Sequence, residues 1–384
     1  MKGRGFMGKE WDALVPPPAT WRQVWRVLKP GAYCLAFAGT RTYDLITMAL
    51  RFADFEIEDT WQWLYGQGMP KRVRLDLKID EHFGMKDARP VESEWRTGRQ
   101  GTMGGQGVYG GVTEDVRRIT GAAHPDAARF VGWDRASRPG WEPIIVAVKP
   151  LRGTIAQTAL RYGTGGMNAD GCRIPRGDAG DVRSARKVAG LGNVLFRHGD
   201  KPVGHVEQID PRGGFPANVI MDEEAAAELE GGASRFFYTA KASTSERDKG
   251  LENLPTLTPG ERSGGREEGS AGITAYAGTR SENGRNPHPT VKPISLMRYL
   301  VRRASPPGAW DPDVAKRPVV LDCFMGSGST GVAALVEGVR FVGCELEAAS
   351  AEVARLRLHH AYALPRDEDE APTETRSGGQ AVLF

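Results

Sequence analysis

The sequence predicts an α/β fold with a doubly wound sheet, and three observations carry that prediction. Residues 319–346 read as strand, small-residue turn, helix and second strand, with an acid at the tip of each strand. Residues 19–65 alternate helical and strand periods twice over. Trp141–Lys149 (WEPIIVAVK) is an apolar run of strand length, suited to burial on both faces.

Taken in order, residues 1–83 form the first part of the core. A polar-aromatic loop (Gly5–Asp12) leads into a helix over about Ala19–Leu28, which Lys29-Pro30-Gly31 ends. Tyr33–Phe37 is a buried strand, Thr42–Ala53 a second helix, and Glu56–Tyr65 a strand with alternation read at Ile57, Thr60 and Trp61. Residues 84–140 are rich in glycine and charge, notably Gly98–Gly111, and read as a flexible insertion. Residues 141–149 are then expected to be the last strand of the sheet. Residues 150–285 form a longer insertion. Up to Lys201 it holds nine basic residues (Arg152, Arg161, Arg173, Arg176, Arg183, Arg186, Lys187, Arg197, Lys201) against four acids, a composition suited to phosphates or to a solvated loop. Residues 286–365 return to the core, and 366–384 are expected to be a disordered tail.

Composition narrows the setting. At 384 residues the chain can hold one large domain with insertions or two modest ones. No apolar run approaches the ~20 residues that span a bilayer, and Met1–Gly5 has charge without a following hydrophobic region, so neither membrane insertion nor a signal peptide is expected. The four cysteines, Cys34, Cys172, Cys323 and Cys344, lie far apart with no C-x-x-C pair. That argues against a metal site and a disulfide framework, and for a reduced, cytoplasmic location. A net charge of +3 is small, so nucleic-acid affinity must rest on where charge sits.

The chemistry-bearing stretch is Val319–Leu346. Val319-Val320-Leu321 ends on Asp322; Gly326-Ser327-Gly328-Ser329-Thr330-Gly331 makes the turn; Val332, Ala333, Leu335 and Val336 fall at helical spacing; Gly338 stops the helix; and Arg340–Cys344 ends on Glu345. Glycines allow close backbone approach to a ligand, the helix aims amides at it, and the second acid can accept from ribose hydroxyls. This is a nucleoside-cofactor pattern. Gly326, Gly328 and Gly331 also satisfy G-x-G-x-x-G, so a nicotinamide- or flavin-dependent oxidoreductase competes, whereas no Gly-Lys-Ser/Thr closes a Walker loop.

Just upstream stands Asn286–Pro293 (NPHPTVKP), followed by the helix Ile294–Ala304. His288–Pro293 and Asp322–Thr330 together resemble the H-P-T-x-K-P and D-x-F-x-G-S-G-T segments of the circularly permuted (beta) class of DNA amino-methyltransferases, with Ser329 as an inserted residue. Phe6–Asp12, Trp63–Lys71 (WLYGQGMPK), Trp141–Ile144, and Arg235–Tyr238 with Lys241–Ser243 and Glu246-Arg247 are similar to other segments of phage and prophage members. The resemblance implies a Rossmann-like methyltransferase sheet, circularly permuted, with an inserted target-recognition region. It further implies S-adenosylmethionine as cofactor, double-stranded DNA as partner, and methylation at adenine N-6 or cytosine N-4, adenine being favoured. Asp322, Phe324, Gly326, Ser327, Gly328 and Thr330 would hold the methionine and adenosine portions, with Glu345 on the ribose. Lys292 would lie near the methionine carboxylate, with His288 and Thr290 shaping that wall. Trp63 and Tyr65 would line the pocket for an extruded base, and the basic residues after Pro150 would lie on DNA. C-5 chemistry is disfavoured, since no cysteine sits in a Pro-Cys setting.

The family's catalytic D/N/S-P-P-Y/F tetrapeptide does not occur in the sequence. Val15-Pro16-Pro17-Pro18 and Ser305-Pro306-Pro307-Gly308 are near misses without the aromatic. In relatives it precedes the Phe6–Asp12 equivalent, so the expectation is a chain that begins after it, lacks the central strand beside Val319–Cys323, and is inactive alone. The alternative is a remnant that binds cofactor and DNA without turnover. The terminal Gln380–Phe384 (QAVLF) resembles the Q-x-x-L-F motif that docks on the bacterial sliding clamp, with Gln380, Leu383 and Phe384 as its anchors.

Overall fold

A computed structural model describes residues 15–66, 73–97, 115–135, 137, 139–175, 212–229, 237–240, 245–258, 261, 283–288 and 290–363. In chain order the elements are α1 (Pro18–Val27), β1 (Tyr33–Phe37), α2 (Tyr43–Arg51), β2 (Glu56–Leu64), α3 (Leu75–His82), β3 (Val91–Thr97), β4 (Asp115–Thr120), α4 (Pro125–Ala128), β5 (Trp141–Val148), α5 (Ile155–Tyr162), β6 (Val219–Asp222), α6 (Glu223–Ala227), β7 (Tyr238–Ala240), α7 (Ile294–Ala304), β8 (Val319–Asp322), α8 (Ser329–Val336), β9 (Arg340–Gly343) and α9 (Ala348–Ala363). Two compact units result, residues 68–139 and the remainder. Among the described residues no helix is long and apolar enough to cross a membrane.

In the larger unit, five strands pair in the order β1-β5-β2-β6-β7, and among the described residues β8 and β9 pair as a separate two-stranded sheet. The architecture is α/β as expected, but the sheet is mixed. β5 runs antiparallel to both neighbours, whereas β2, β6 and β7 are parallel, as are β8 and β9. β5 is also an interior strand, not the last one. Its burial explains this. Ile144 and Val146 enter a cluster with Trp61, Ile220, Leu296 and Leu300, while Ile145 and Ala147 enter another with Trp21, Ile46, Leu50 and Phe55. Period-two alternation of apolar residues on both sides requires helices on both faces. α7 covers the first face and α1 and α2 the second. Complete burial of Ile144 alone is worth about 1.5–3 kcal/mol.

The stretch 150–285, expected as an insertion, contributes β6 and β7 to this sheet. Strands of four and three residues are too short to show periodicity. The helices and strands flanking the glycine turn follow the expected bounds, α7 coinciding with Ile294–Ala304. Glu337 at the end of α8 is 5% exposed and accepts from Arg298 Nε (2.8 Å) and Arg302 Nη2 (2.7 Å). This brace holds α7 against α8.

The smaller unit spans 68–139, so its start precedes the expected boundary at 84. Its described part is structured: β3 and β4 form an antiparallel hairpin, with α3 and α4 beside it. Gly98–Gly111 lies outside the described residues. The centre of this unit is ionic. Asp76 and Asp80 are fully buried, Arg89 reaches both, and Arg74 lies 2.5 Å from Asp76. Asp80 also accepts the amides of Ala123 (3.1 Å) and His124 (2.8 Å). Burial alone would raise the Asp76 carboxyl, but the two guanidinium groups outweigh it and hold it at about 2. A depressed folded-state value gives stability above the unfolded value of ~3.9 that is lost as pH falls through the folded one. The unit is therefore expected to keep its amide protection at pH 5 and lose it between about pH 4 and pH 2, as read by hydrogen exchange. Arg89→Met should cost it about 3–5 kcal/mol, because it strands buried carboxylates.

Candidate cofactor and base site

The glycine turn joins β8 to α8, and backbone bonds fasten it to β9: Met325 N donates to Cys344 O (3.0 Å) and Cys344 N to Asp322 O (2.9 Å). Asp322 closes the turn from one side. Its carboxylate accepts Phe324 N at 3.0 Å and Thr330 Oγ at 2.5 Å. Glu345 closes it from the other, accepting Gly326 N and Glu347 N, both at 2.8 Å. Both acids expected at strand tips thus stand at the turn and shape it through its amides.

Gly326 has φ of 51°, and a Cβ there would lie 2.5 Å from His288 Nε2. The imidazole therefore rests on the glycine backbone. This contact brings the Asn286–Pro293 segment and the turn together into one wall. The segment is held from behind. Asn286, fully buried, donates through Nδ2 to Arg247 O (3.1 Å) and accepts His288 N (3.0 Å). Asp248 accepts the amides of Arg285 and Asn286 (both 3.0 Å), and Arg247 donates to His288 O (2.9 Å). Thr290 is exposed at the rim, its amide 3.4 Å from His288 Nδ1. Phe324 is 55% exposed and meets the Trp21 ring edge-on at 6.0 Å.

Sequence reasoning missed Arg357. This α9 residue is 2% exposed and donates to Ser327 O (2.6 Å), Ser327 Oγ and Ser329 Oγ (both 3.2 Å), under the turn. Burial lowers its pKa to about 10, so it remains charged at neutral pH. Gly328, with φ of 80°, presses on Ala354 of the same helix. Nothing in the local pattern marks one arginine on a charged helix as the floor of a turn 30 residues away.

Lys292, expected near a carboxylate of the cofactor, instead pairs with Glu142 Oε1 at 2.6 Å. Its ammonium lies 4.9 Å from the Phe37 ring centre and 5.6 Å from that of Trp63. Trp63 and Tyr65 do lie together, edge to face at 5.6 Å. Of the basic residues expected on DNA, Arg152 and Arg161 are exposed, and Arg161 lies over the Tyr162 ring. Arg173 bonds Asp170 (2.7 Å) and Gly213 O (3.0 Å). Arg176, Arg183, Arg186 and Lys187, and the terminal Gln380, Leu383 and Phe384, lie outside the described residues. Among the described residues no cluster of His, Cys, Asp or Glu could hold a metal ion.

The described residues thus form a glycine turn between two acid-tipped parallel strands, with a histidine segment against it. Residues 233–355 match the sequence model of the DNA methylase family of the N-4/N-6 type. The type II methyltransferase M1.MboII of Moraxella bovis is 39% identical over 61 residues, 16% of this chain and 20% of that protein. The type II methyltransferase M.HinfI of Haemophilus influenzae is 34% identical over 88 residues, 23% of this chain and 22% of that protein. The matched part thus spans about a fifth of the length of these relatives. The crystal structure of the M1.HpyAVI–SAM complex aligns over 89% of this chain and 84% of that one, at 14% identity and a TM-score of 0.35. The likeness to DNA methylases is carried by residues 233–355 in the family model and by short stretches in the two relatives.

A Gly326→Ala substitution should cost about 1–3 kcal/mol from its backbone conformation and push the imidazole away. Thermal melting and the His288 ring signals in NMR would both register it. An unshifted imidazole would mean that the contact does not hold the wall together.

Proposed function

We propose that this chain is a site-specific DNA methyltransferase that moves a methyl group from S-adenosylmethionine to an exocyclic amino nitrogen, adenine N-6 in preference to cytosine N-4. The packing of His288 on Gly326 carries the reading, because it unites the two segments in which the family resemblance is strongest. The residues present suit the cofactor. The turn has no side chain where the backbone must be approached, Glu345 keeps lone pairs for ribose hydroxyls beyond its two amide bonds, and Phe324 offers an open ring for a purine. Bound there, S-adenosylmethionine would supply a methyl group already activated on sulfur, so the protein need only bind, align and hold hydrogen bonds.

The acceptor poses the harder problem. The amino lone pair is delocalised into the ring, so the base must be unstacked and its amino group given acceptors that favour a pyramidal nitrogen. We infer that the element supplying those acceptors packs between β1 and β8. Both strands feed one apolar cluster, through Tyr33, Leu35, Phe37 and Val320, yet share no ladder. β1 (YCLAF) and β8 (VVLD) are apolar strands whose remaining edges have no partner among the described residues, and Val319 is 49% exposed. An apolar strand edge left open is one that expects a neighbour.

Calorimetry and tritium transfer separate cofactor binding from turnover. Residues 1–384 should bind S-adenosylmethionine, and Glu345→Ala should weaken binding about tenfold through the lost carboxylate. Tritium counted on the DNA of the same preparation then reads whether methyl transfer follows cofactor binding. Binding of a nicotinamide dinucleotide instead would overturn the assignment, and cofactor bound without tritium reaching DNA would favour a cofactor- and DNA-binding remnant.

A further inference from the structure

We propose that Cys323 and Cys344 are a dithiol modification site, which a hydroperoxide closes into a reversible disulfide that loosens the glycine turn and weakens cofactor binding. The proposal rests on the methyltransferase reading for the ligand it regulates, and on the geometry of β8 and β9 for the bond itself.

The register of the two-stranded sheet sets the pair. Leu321 lies opposite Val342 and Asp322 opposite Gly343, so the next residues along the two strands are Cys323 and Cys344. The backbone keeps them there. Cys344 N donates to Asp322 O at 2.9 Å and Cys344 O accepts Met325 N at 3.0 Å, two bonds that flank Cys323. Neighbouring strands stand about 4.7–4.9 Å apart, within the Cα separation of about 4.4–6.8 Å that a disulfide spans. Side chains alternate along each strand. Val320 and Phe341 face the apolar cluster that holds Ala333 and Ala334 of α8, which puts Cys323 and Cys344 together on the opposite face. Val342 is 51% exposed on that face and Cys344 is exposed, so a small oxidant has access.

The chemistry divides between the thiols. Cys344 is the open one and reacts first. Its thiolate attacks one peroxide oxygen, the O–O bond breaks, and the other oxygen leaves with the thiol proton as water, so that a sulfenic acid remains on Cys344. Cys323 is half-buried. Burial, and then the charge of Asp322, pushes its thiol up to about 11, with Cys344 adding to the rise. It stays protonated at neutral pH until the sulfenic acid stands beside it, and proximity then replaces intrinsic reactivity. The Cys323 sulfur attacks the Cys344 sulfur, the S–O bond breaks, and the hydroxyl leaves with the Cys323 proton as a second water. Two thiols are oxidised and one peroxide is reduced. The remaining cysteines are spectators. Cys34 is pushed up to about 12 by burial and then by Cys323, and Cys172 lies in the apolar cluster, donating to Tyr299 O at 3.9 Å.

The bond reaches the cofactor site through the backbone. Cys323 follows Asp322 and Cys344 precedes Glu345, the two acids that close the turn. In a disulfide the Cβ atoms stand about 3.5–4.5 Å apart, closer than strand spacing gives, so the strand ends must draw together. Cys344 cannot shift without moving its bonds to Asp322 and Met325, and with them the Glu345 carboxylate that holds Gly326 N. A bond strained in this way is readily reduced, which makes the modification reversible.

The test compares the full chain reduced with dithiothreitol and the same chain after stoichiometric hydrogen peroxide. Trypsin cuts after Arg340, which lies between the two cysteines in sequence. Mass spectrometry should therefore find two peptides joined, one holding Cys323 and the other Cys344, and the Gly326 amide should exchange faster in the oxidised chain. Calorimetry should show S-adenosylmethionine binding about tenfold more weakly after oxidation, the equivalent of one hydrogen bond. Dithiothreitol should restore it, which a sulfinic acid would not allow. In Cys344→Ser, affinity should be the same before and after peroxide. A link from Cys34 to Cys323, oxidation of Cys344 without a link, or a linked chain that binds S-adenosylmethionine and protects Gly326 as before would overturn the proposal. Reduced protein that binds no S-adenosylmethionine, while the peptides still link and Gly326 still exchanges faster, would instead remove the methyltransferase reading and leave the redox site standing.

Discussion

Close approach at Gly326 is the contact on which the site depends. One residue without a side chain donates its amide to Glu345, lies against the His288 imidazole, and sits in a left-handed conformation that other residues adopt at a cost. It thereby fixes the distance between three stretches far apart in sequence: the end of β9, the segment before α7, and the loop after β8. Asn286 and Asp248 hold the histidine side and Arg357 holds the floor. Each buries polar groups that would be expensive to leave unpaired.

The parts of the fold visible in sequence were those with long or punctuated patterns. Tyr33–Phe37 and Ile294–Ala304 coincide with β1 and α7, because an apolar run or an amphipathic face flanked by proline or glycine sets their limits. β6 and β7 were invisible, being too short for a period and set in a glycine-rich context. The ionic centre of residues 68–139 was hidden for another reason. Arg89 and Asp76 read as surface residues until a hairpin folds over them, and no pattern of charge announces that burial.

The candidate site was legible to a similar degree. Asp322, Glu345 and His288 could be singled out because strand tips, glycines and a specific octapeptide mark them. Glu142 could not, since a glutamate at the start of an apolar strand looks like its solvent end. Its partner, Lys292, is 150 positions away, and only the folding of β5 beside β2 brings the two together with Trp63. Long-range pairing of this kind is a property of register, which sequence reading does not supply.

The bracing of Glu337 by Arg298 and Arg302 has an effect at a distance. α7 begins immediately after the histidine segment and α8 immediately after the glycine turn, so the two walls of the cleft are the leading ends of two rods clamped together farther along. Such a cleft has its width set before anything enters it. A nucleoside arriving there would find little backbone left to order, and more of its contact energy would remain as affinity.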